Sequence, residues 1–179
     1  MSIVETPASG VPAGTPPEFP QDLRDKIADM VAHEHHARGA AIEAMRLTQK
    51  RFGWLCDAHM REIAKLCSMS MADLDGIATF FNLLFRKPVG ENVVMLCDSV
   101  SCWLMGEEKV RARFCEKLGI KRGQTTPDGK VTFLPIVCLG HCDHAPAMLV
   151  NEELYGNVDT ETVDRVIDQM KNGSVRGES

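Results

Sequence analysis

Four of the seven cysteines fall in two close pairs, Cys97 with Cys102 and Cys138 with Cys142. A [2Fe–2S] rhomb needs two protein sulfurs on each iron, so two thiol pairs on separate loops suit it. The inner spacings, C-x4-C and C-x3-C, weigh against other kinds of cysteine site. Structural zinc sites on tight turns and thioredoxin-type redox dithiols both use C-x2-C. A plant-type ferredoxin run keeps three cysteines close together, which this chain does not. The spacing favours an iron–sulfur electron carrier. A zinc-binding adaptor is the rival from another class, and a dithiol oxidoreductase is a third reading.

Other candidate ligands are weaker. Cys56, Cys67 and Cys115 have no close cysteine partner, and Cys67 and Cys115 fall in helical stretches where a thiol serves as core. The run His33-Glu-His-His36 misses the H-E-x-x-H pattern because position 37 is Ala37, and it reads as a solvated helix end. His141 and His144 bracket Cys142. Rieske centres put two histidines on one iron, but here both thiols of the second pair are present. That leaves the two imidazoles hydrogen bonding to cluster sulfur as a role. No Lys or Arg occurs in 95–108 or 134–164, while Asp98 and Asp143 adjoin the pairs. Uncompensated negative charge resists an added electron, which predicts a low potential, near roughly −400 mV.

The elements that must position the thiols follow from periodicity. Val93 to Leu96 is a continuous apolar run, a strand buried on both faces that ends at Cys97. A helix follows with Val110, Phe114 and Leu118 on one side and Gly119 as its stop. Pro127-Asp-Gly129 is a turn, and Val131 to Val137 a second strand that ends at Cys138. Ala147 to Val150 and Leu154-Tyr155 form a hairpin, and Thr160 caps a last helix carrying Val163, Val166, Ile167 and Met170. The order β-α-β-β-β-α predicts an α/β domain with a mixed sheet over 91–173. Both pairs follow strands, so they can meet at one end of the sheet.

Before this domain the pattern is helical. Leu23, Ile27, Met30 and Val31 share one face, and a second stretch runs from Ala40 to about Phe52. Asp57 is the expected N-cap of a third helix with Met60, Ile63, Ala64 and Cys67 inward. Ser70-Met-Ala-Asp73 opens a fourth as a capping box, with Leu74, Ile77, Ala78, Phe81 and Phe85 continuing its stripe. Residues 21–88 thus read as a helical bundle. Residues 1–20 are rich in Pro, Gly, Ser and Thr and read as a disordered arm.

Composition narrows the function further. The 179 residues carry 44% hydrophobic and 25% charged residues with a net charge of −5, which suits a globular protein and argues against a nucleic-acid surface. No apolar run approaches the roughly 20 residues of a membrane span. The N-terminus lacks the basic and apolar regions of a secretory signal, so seven cysteines point to a reducing cytoplasm. Neither G-x-G-x-x-G nor G-x-x-x-x-G-K-[ST] occurs, so nucleotide binding has no support in the chain.

Several stretches resemble a specific family. Arg38-Gly-Ala-Ala-Ile42, Phe52-Gly-Trp54, Gly76-Ile-Ala-Thr-Phe-Phe81 and Pro88-Val-Gly90 resemble the N-terminal half of the thioredoxin-like [2Fe–2S] ferredoxin subunit of respiratory complex I, the NADH–quinone oxidoreductase of bacteria. Cys97-x4-Cys102 with Gly106, and Cys138-Leu-Gly-His-Cys142 with Ala145-Pro146 and Tyr155-Gly156, resemble its cluster half. The resemblance runs from about residue 22 to 171. It implies a thioredoxin-like domain preceded by a helical segment. It also implies one [2Fe–2S] cluster on Cys97, Cys102, Cys138 and Cys142, with no catalytic residue of the chain's own. The implied partners are a flavoprotein carrying FMN and the NADH site, together with other peripheral-arm subunits. The implied location is cytoplasmic, peripheral to the bacterial inner membrane. The same module occurs in NAD-linked hydrogenases and formate dehydrogenases, which are the alternative parents.

Overall fold

The computed structural model describes residues 18–173. The expected disordered arm falls mostly on residues outside that range. The described chain divides into two compact units, with the boundary between Pro88 and Val89.

The first unit is helical: α1 (Gln21–His33), a 3₁₀ turn over Ala37–Ala40, α2 (Ala41–Phe52), α3 (Asp57–Leu66) and α4 (Met71–Phe80). Its core takes Leu23 and Ile27 from α1, Ala44 and Met45 from α2, Met60 and Ile63 from α3 and Leu74 and Ala78 from α4. Burying a side chain such as Ile27 or Met60 contributes about 1.5–3 kcal/mol. The Ser70 hydroxyl accepts from the Asp73 N–H, as the capping-box spacing requires. Two expectations are corrected. Cys56, not Asp57, occupies the cap position of α3, because the Asp57 carboxylate is drawn 2.7 Å from Arg86. The α4 stripe stops at Phe80, and Phe80, Phe81 and Leu83 stand exposed. Arg86, which also bonds Asp75 and the Leu55 carbonyl, fastens the chain after α4 back onto the bundle. The run from His33 to His36 is exposed, as a solvated helix end should be.

One core group of this unit is ionisable. His59 is 2% exposed, stacks on Phe52 with centroids 4.2 Å apart and meets the edge of Phe19, and neither ring nitrogen has a hydrogen-bond partner among the described residues. Burial holds its pKa below the ordinary value, and the nearby Trp54 backbone offsets only part of that. The unfolded chain then binds a proton near pH 6.5 that the folded chain refuses. Stability from this residue is present above about pH 6.5 and is lost as pH falls below it. The urea midpoint of the helical unit should therefore drop between pH 7 and pH 5, and His59→Phe should flatten that drop. An unchanged slope in His59→Phe would show that other groups cause it.

The second unit is a five-stranded mixed sheet of order β2-β3-β1-β4-β5. β1 (Asn92–Cys97) is central because Val93 to Leu96 is apolar on both faces, and all four are buried. It runs parallel to β3 (Val131–Ile136) and antiparallel to β4 (Met148–Val150). β4 forms the expected hairpin with β5 (Glu153–Tyr155). Helices α6 (Glu107–Leu118) and α7 (Thr160–Lys171) bury Val110, Phe114, Val163, Val166, Ile167 and Met170 in one core with the sheet, where Phe114 lies 5.1 Å from Phe133. The mixed α/β architecture is as expected, with three local differences. The two-residue β2 (Gln124–Thr125) and the five-residue α5 (Val100–Leu104) are too short for periodicity to reveal. The cap of α7 is Asp159, whose carboxylate accepts from the Thr162 N–H, so Thr160 is the first helical residue.

Candidate metal centre

Strand direction gathers the four thiols. Cys97 ends β1, and its register partner Ile136 ends the parallel β3, two residues before Cys138. Both chains therefore leave the sheet at the same end. After Cys97 the chain turns into α5, which carries Ser101 and the buried Cys102. The Cys97 N–H donates to the Ala147 carbonyl, and the Ala147 backbone N–H faces the Cys102 sulfur, so the approach to β4 clasps the first pair. Beyond β3, Gly140 adopts φ +76, a conformation that favours glycine, and its N–H donates to the Cys138 sulfur at 3.3 Å. A 3₁₀ turn over Cys142–His144 then returns Cys142 to 3.3 Å from Cys138, sulfur to sulfur. The Ser101 side chain lies near enough to Cys142 to offset part of the rise in its pKa, so the two loops meet here.

The pairs differ in surroundings. Cys97 and Cys102 are each 1% exposed, whereas Cys138 and Cys142 are open to solvent. Burial pushes the Cys102 thiol up to about 11, and the nearby Cys97 and Cys142 push it the same way. Cys142 is raised by Cys138 and by Cys97, while Cys138 is lowered by the Gly140 N–H. Neighbouring sulfurs thus oppose the ionisation of Cys102 and Cys142, so the two pairs lie close enough to feel each other. Four thiolates in such a place need a cation among them. All seven cysteines are free thiols, so the donor set fits four-thiolate ligation. Cys67 is fully buried in the helical core and Cys115 packs against the sheet core, where both fill space between apolar side chains.

Two acidic groups near the centre, on which the low-potential expectation rested, have partners. Arg122, which no sequence window around the pairs contains, places its guanidinium 3.2 Å from Asp98 and 3.8 Å from the buried Glu107. Asp98 is therefore compensated. Asp143 lies 2.9 Å from His144 and 3.8 Å from His141, and the two imidazoles stack on each other at 4.5 Å. His144 holds the Asp143 carboxyl below the usual range. Sequence reasoning also missed Ser101, although its position next to Cys102 at a strand-to-helix turn was the available signal.

Fold and donor set together define a metalloprotein of the iron–sulfur class. The family model of the thioredoxin-like [2Fe–2S] ferredoxins matches residues 27–171, and the chain belongs to that family. The E subunit of NADH–quinone oxidoreductase from Pseudomonas aeruginosa is 37% identical over 145 residues, covering 81% of this chain and 87% of that protein. Its Escherichia coli counterpart is 38% identical over 148 residues, covering 83% and 89%. Among solved structures, an NAD+-reducing [NiFe]-hydrogenase in its dihydrogen-reduced state shares the fold, with a TM-score of 0.65 at 22% identity. That match covers 78% of this chain and 23% of the longer one.

Proposed function

We propose that Cys97, Cys102, Cys138 and Cys142 hold one [2Fe–2S] cluster, and that the chain is the electron-carrying E subunit of an NADH–quinone oxidoreductase. The observation that carries this is the convergence of four free thiols from two strand-end loops at one end of the sheet, with the Cys138 and Cys142 sulfurs 3.3 Å apart. When bound, such a cluster accepts and returns one electron at a time. The chain's own part is to supply four thiolates and to bury one pair while leaving the other at the surface. The Gly140 N–H donates to the Cys138 sulfur, and Ser101 and the Ala147 backbone stand near Cys142 and Cys102.

The partner is a flavoprotein carrying FMN and the NADH site, and other peripheral-arm subunits complete the assembly at the cytoplasmic face of the inner membrane. No helix among the described residues is long and apolar enough to cross a membrane. The helical unit from residue 21 to 88 serves as a docking domain and the unit from 91 to 173 as the cluster domain. Exposed Phe80, Phe81 and Leu83 on the former and Val100, Trp103, Leu104 and Met105 beside the first cysteine pair are apolar side chains of the kind that partners cover. The hydrogenase likeness keeps an NAD-linked hydrogenase as the alternative parent. Metal analysis tests the central reading. The purified chain should carry about two iron and two acid-labile sulfide. One zinc without sulfide would instead establish the adaptor.

A further inference from the structure

The loop that returns Cys142 carries a second set of metal-binding groups. We propose that His141, Asp143 and His144 form a site for one divalent transition ion of the zinc class, separate from the four thiols. Their donor atoms all lie within 4.8 Å of one another. Asp143 Oδ2 is 2.9 Å from His144 Nδ1, and Asp143 Oδ1 is 3.8 Å from His141 Nδ1. Ligands about 2.0–2.1 Å from a tetrahedral zinc stand about 3.4 Å apart, between those two distances. The carboxylate already lies between the Nδ1 atoms, one oxygen toward each.

The two rings are kept together. They stack with planes 10° apart, so to share one ion they turn about their Cβ–Cγ bonds until both Nδ1 lone pairs point at it. An added Cβ at Gly156 would fall 2.6 Å from His141 Nε2 and 2.6 Å from His144 Cβ, so only glycine lets β5's outgoing chain lie against them. The Asn157 N–H donates to the His144 carbonyl, and the His144 N–H to the His141 carbonyl. The loop is therefore built around the ring pair. Asp143 and His144 remain open to solvent, so water can fill the remaining coordination positions. Two imidazoles and a carboxylate suit zinc, cobalt, nickel or copper, whereas magnesium and calcium prefer oxygen donors. Because Cys142 opens this same turn, an ion here pins the exposed end of the thiol centre and sets positive charge beside it.

Equilibrium dialysis of the cluster-loaded full chain against Zn²⁺ tests the site, with iron and sulfide measured in the same samples. One zinc should bind per chain with iron unchanged. His144→Gln and Asp143→Asn should each weaken it by about tenfold or more, since loss of even an outer hydrogen-bond partner costs that much. Gly156→Ala should weaken it too, by separating the rings. Zinc binding that both His144→Gln and Asp143→Asn leave unchanged, or uptake matched by iron release, overturns the proposal. A chain without iron or sulfide would refute the four-thiol reading instead, and the zinc difference between wild type and variants would still be measurable.

Discussion

Cys97→Ser or Cys102→Ser should remove essentially all of the reduced protein's iron–sulfur electron paramagnetic resonance signal. Both thiols are 1% exposed, so no water can take the place of a missing ligand. A serine hydroxyl also ionises far less readily than a thiol. Cys138→Ser and Cys142→Ser should abolish or alter the signal. These positions are open to solvent, and an oxygen from serine or water can reach the vacated place. The remaining cysteines supply the control. Cys56→Ser and Cys115→Ser should keep the signal, as should Cys67→Ser. At Cys67 the new hydroxyl sits in a fully buried position and costs about 1–3 kcal/mol of stability, so Cys67→Ala gives the cleaner comparison. A normal signal from Cys138→Ser would refute the ligand assignment. The graded outcome between buried and exposed pairs is what separates specific ligation from general unfolding, because a merely unfolded chain would lose iron equally in all four variants.

The centre was legible in sequence to the extent that it depends on local order. Val93 to Leu96 announces a central strand, and a strand that ends at one cysteine pair, followed by a strand that ends at the other, puts both at one end of the sheet. The hairpin after Ala147 and the buried face of α7 followed from the same periodicities. What escaped depends on contacts distant in sequence or on elements shorter than a period. Arg122 lies 24 residues from Asp98, so counting charges near the pairs could not reveal their ion pair. Asp57 carries the residue type of a cap, yet Arg86, 29 residues away, takes its carboxylate. Asp159 and Thr160 are both good caps, and only the hydrogen bond to the Thr162 N–H decides between them. The exposed Phe81 read as part of the stripe because an apolar pattern cannot distinguish a face buried within one chain from one left for a partner. Conversely, the resemblance in Tyr155-Gly156 acquires a physical reason: Gly156 lies where any side chain would strike His141 and His144.

The isolated chain should show no NADH oxidation with an artificial one-electron acceptor, yet strong chemical reductant should reduce it. NADH surrenders a hydride, which is two electrons at once, while a [2Fe–2S] protein takes one. A flavin must stand between them, and this chain shows no phosphate-cradling glycine loop with which to hold a dinucleotide. Adding the flavoprotein subunit should therefore turn zero turnover into measurable turnover, with the chain reduced by NADH only in the mixture. The compensated charge near the thiols bears on the second half of this expectation. Because Arg122 pairs with Asp98, the loop beside the first cysteine pair is less negative than its sequence suggests, which favours accepting an electron from a flavin. Arg122→Gln leaves Asp98 unpaired and should make NADH-driven reduction in the mixture less complete, while Asp98→Asn in the same chain should restore it. Turnover by the chain alone, at a rate the flavoprotein does not raise, would contradict the reading of this protein as a carrier. Reduction that Arg122→Gln leaves unchanged would separate that outcome from the electrostatic argument, since the carrier role would stand and the charge pair would lose its part in it.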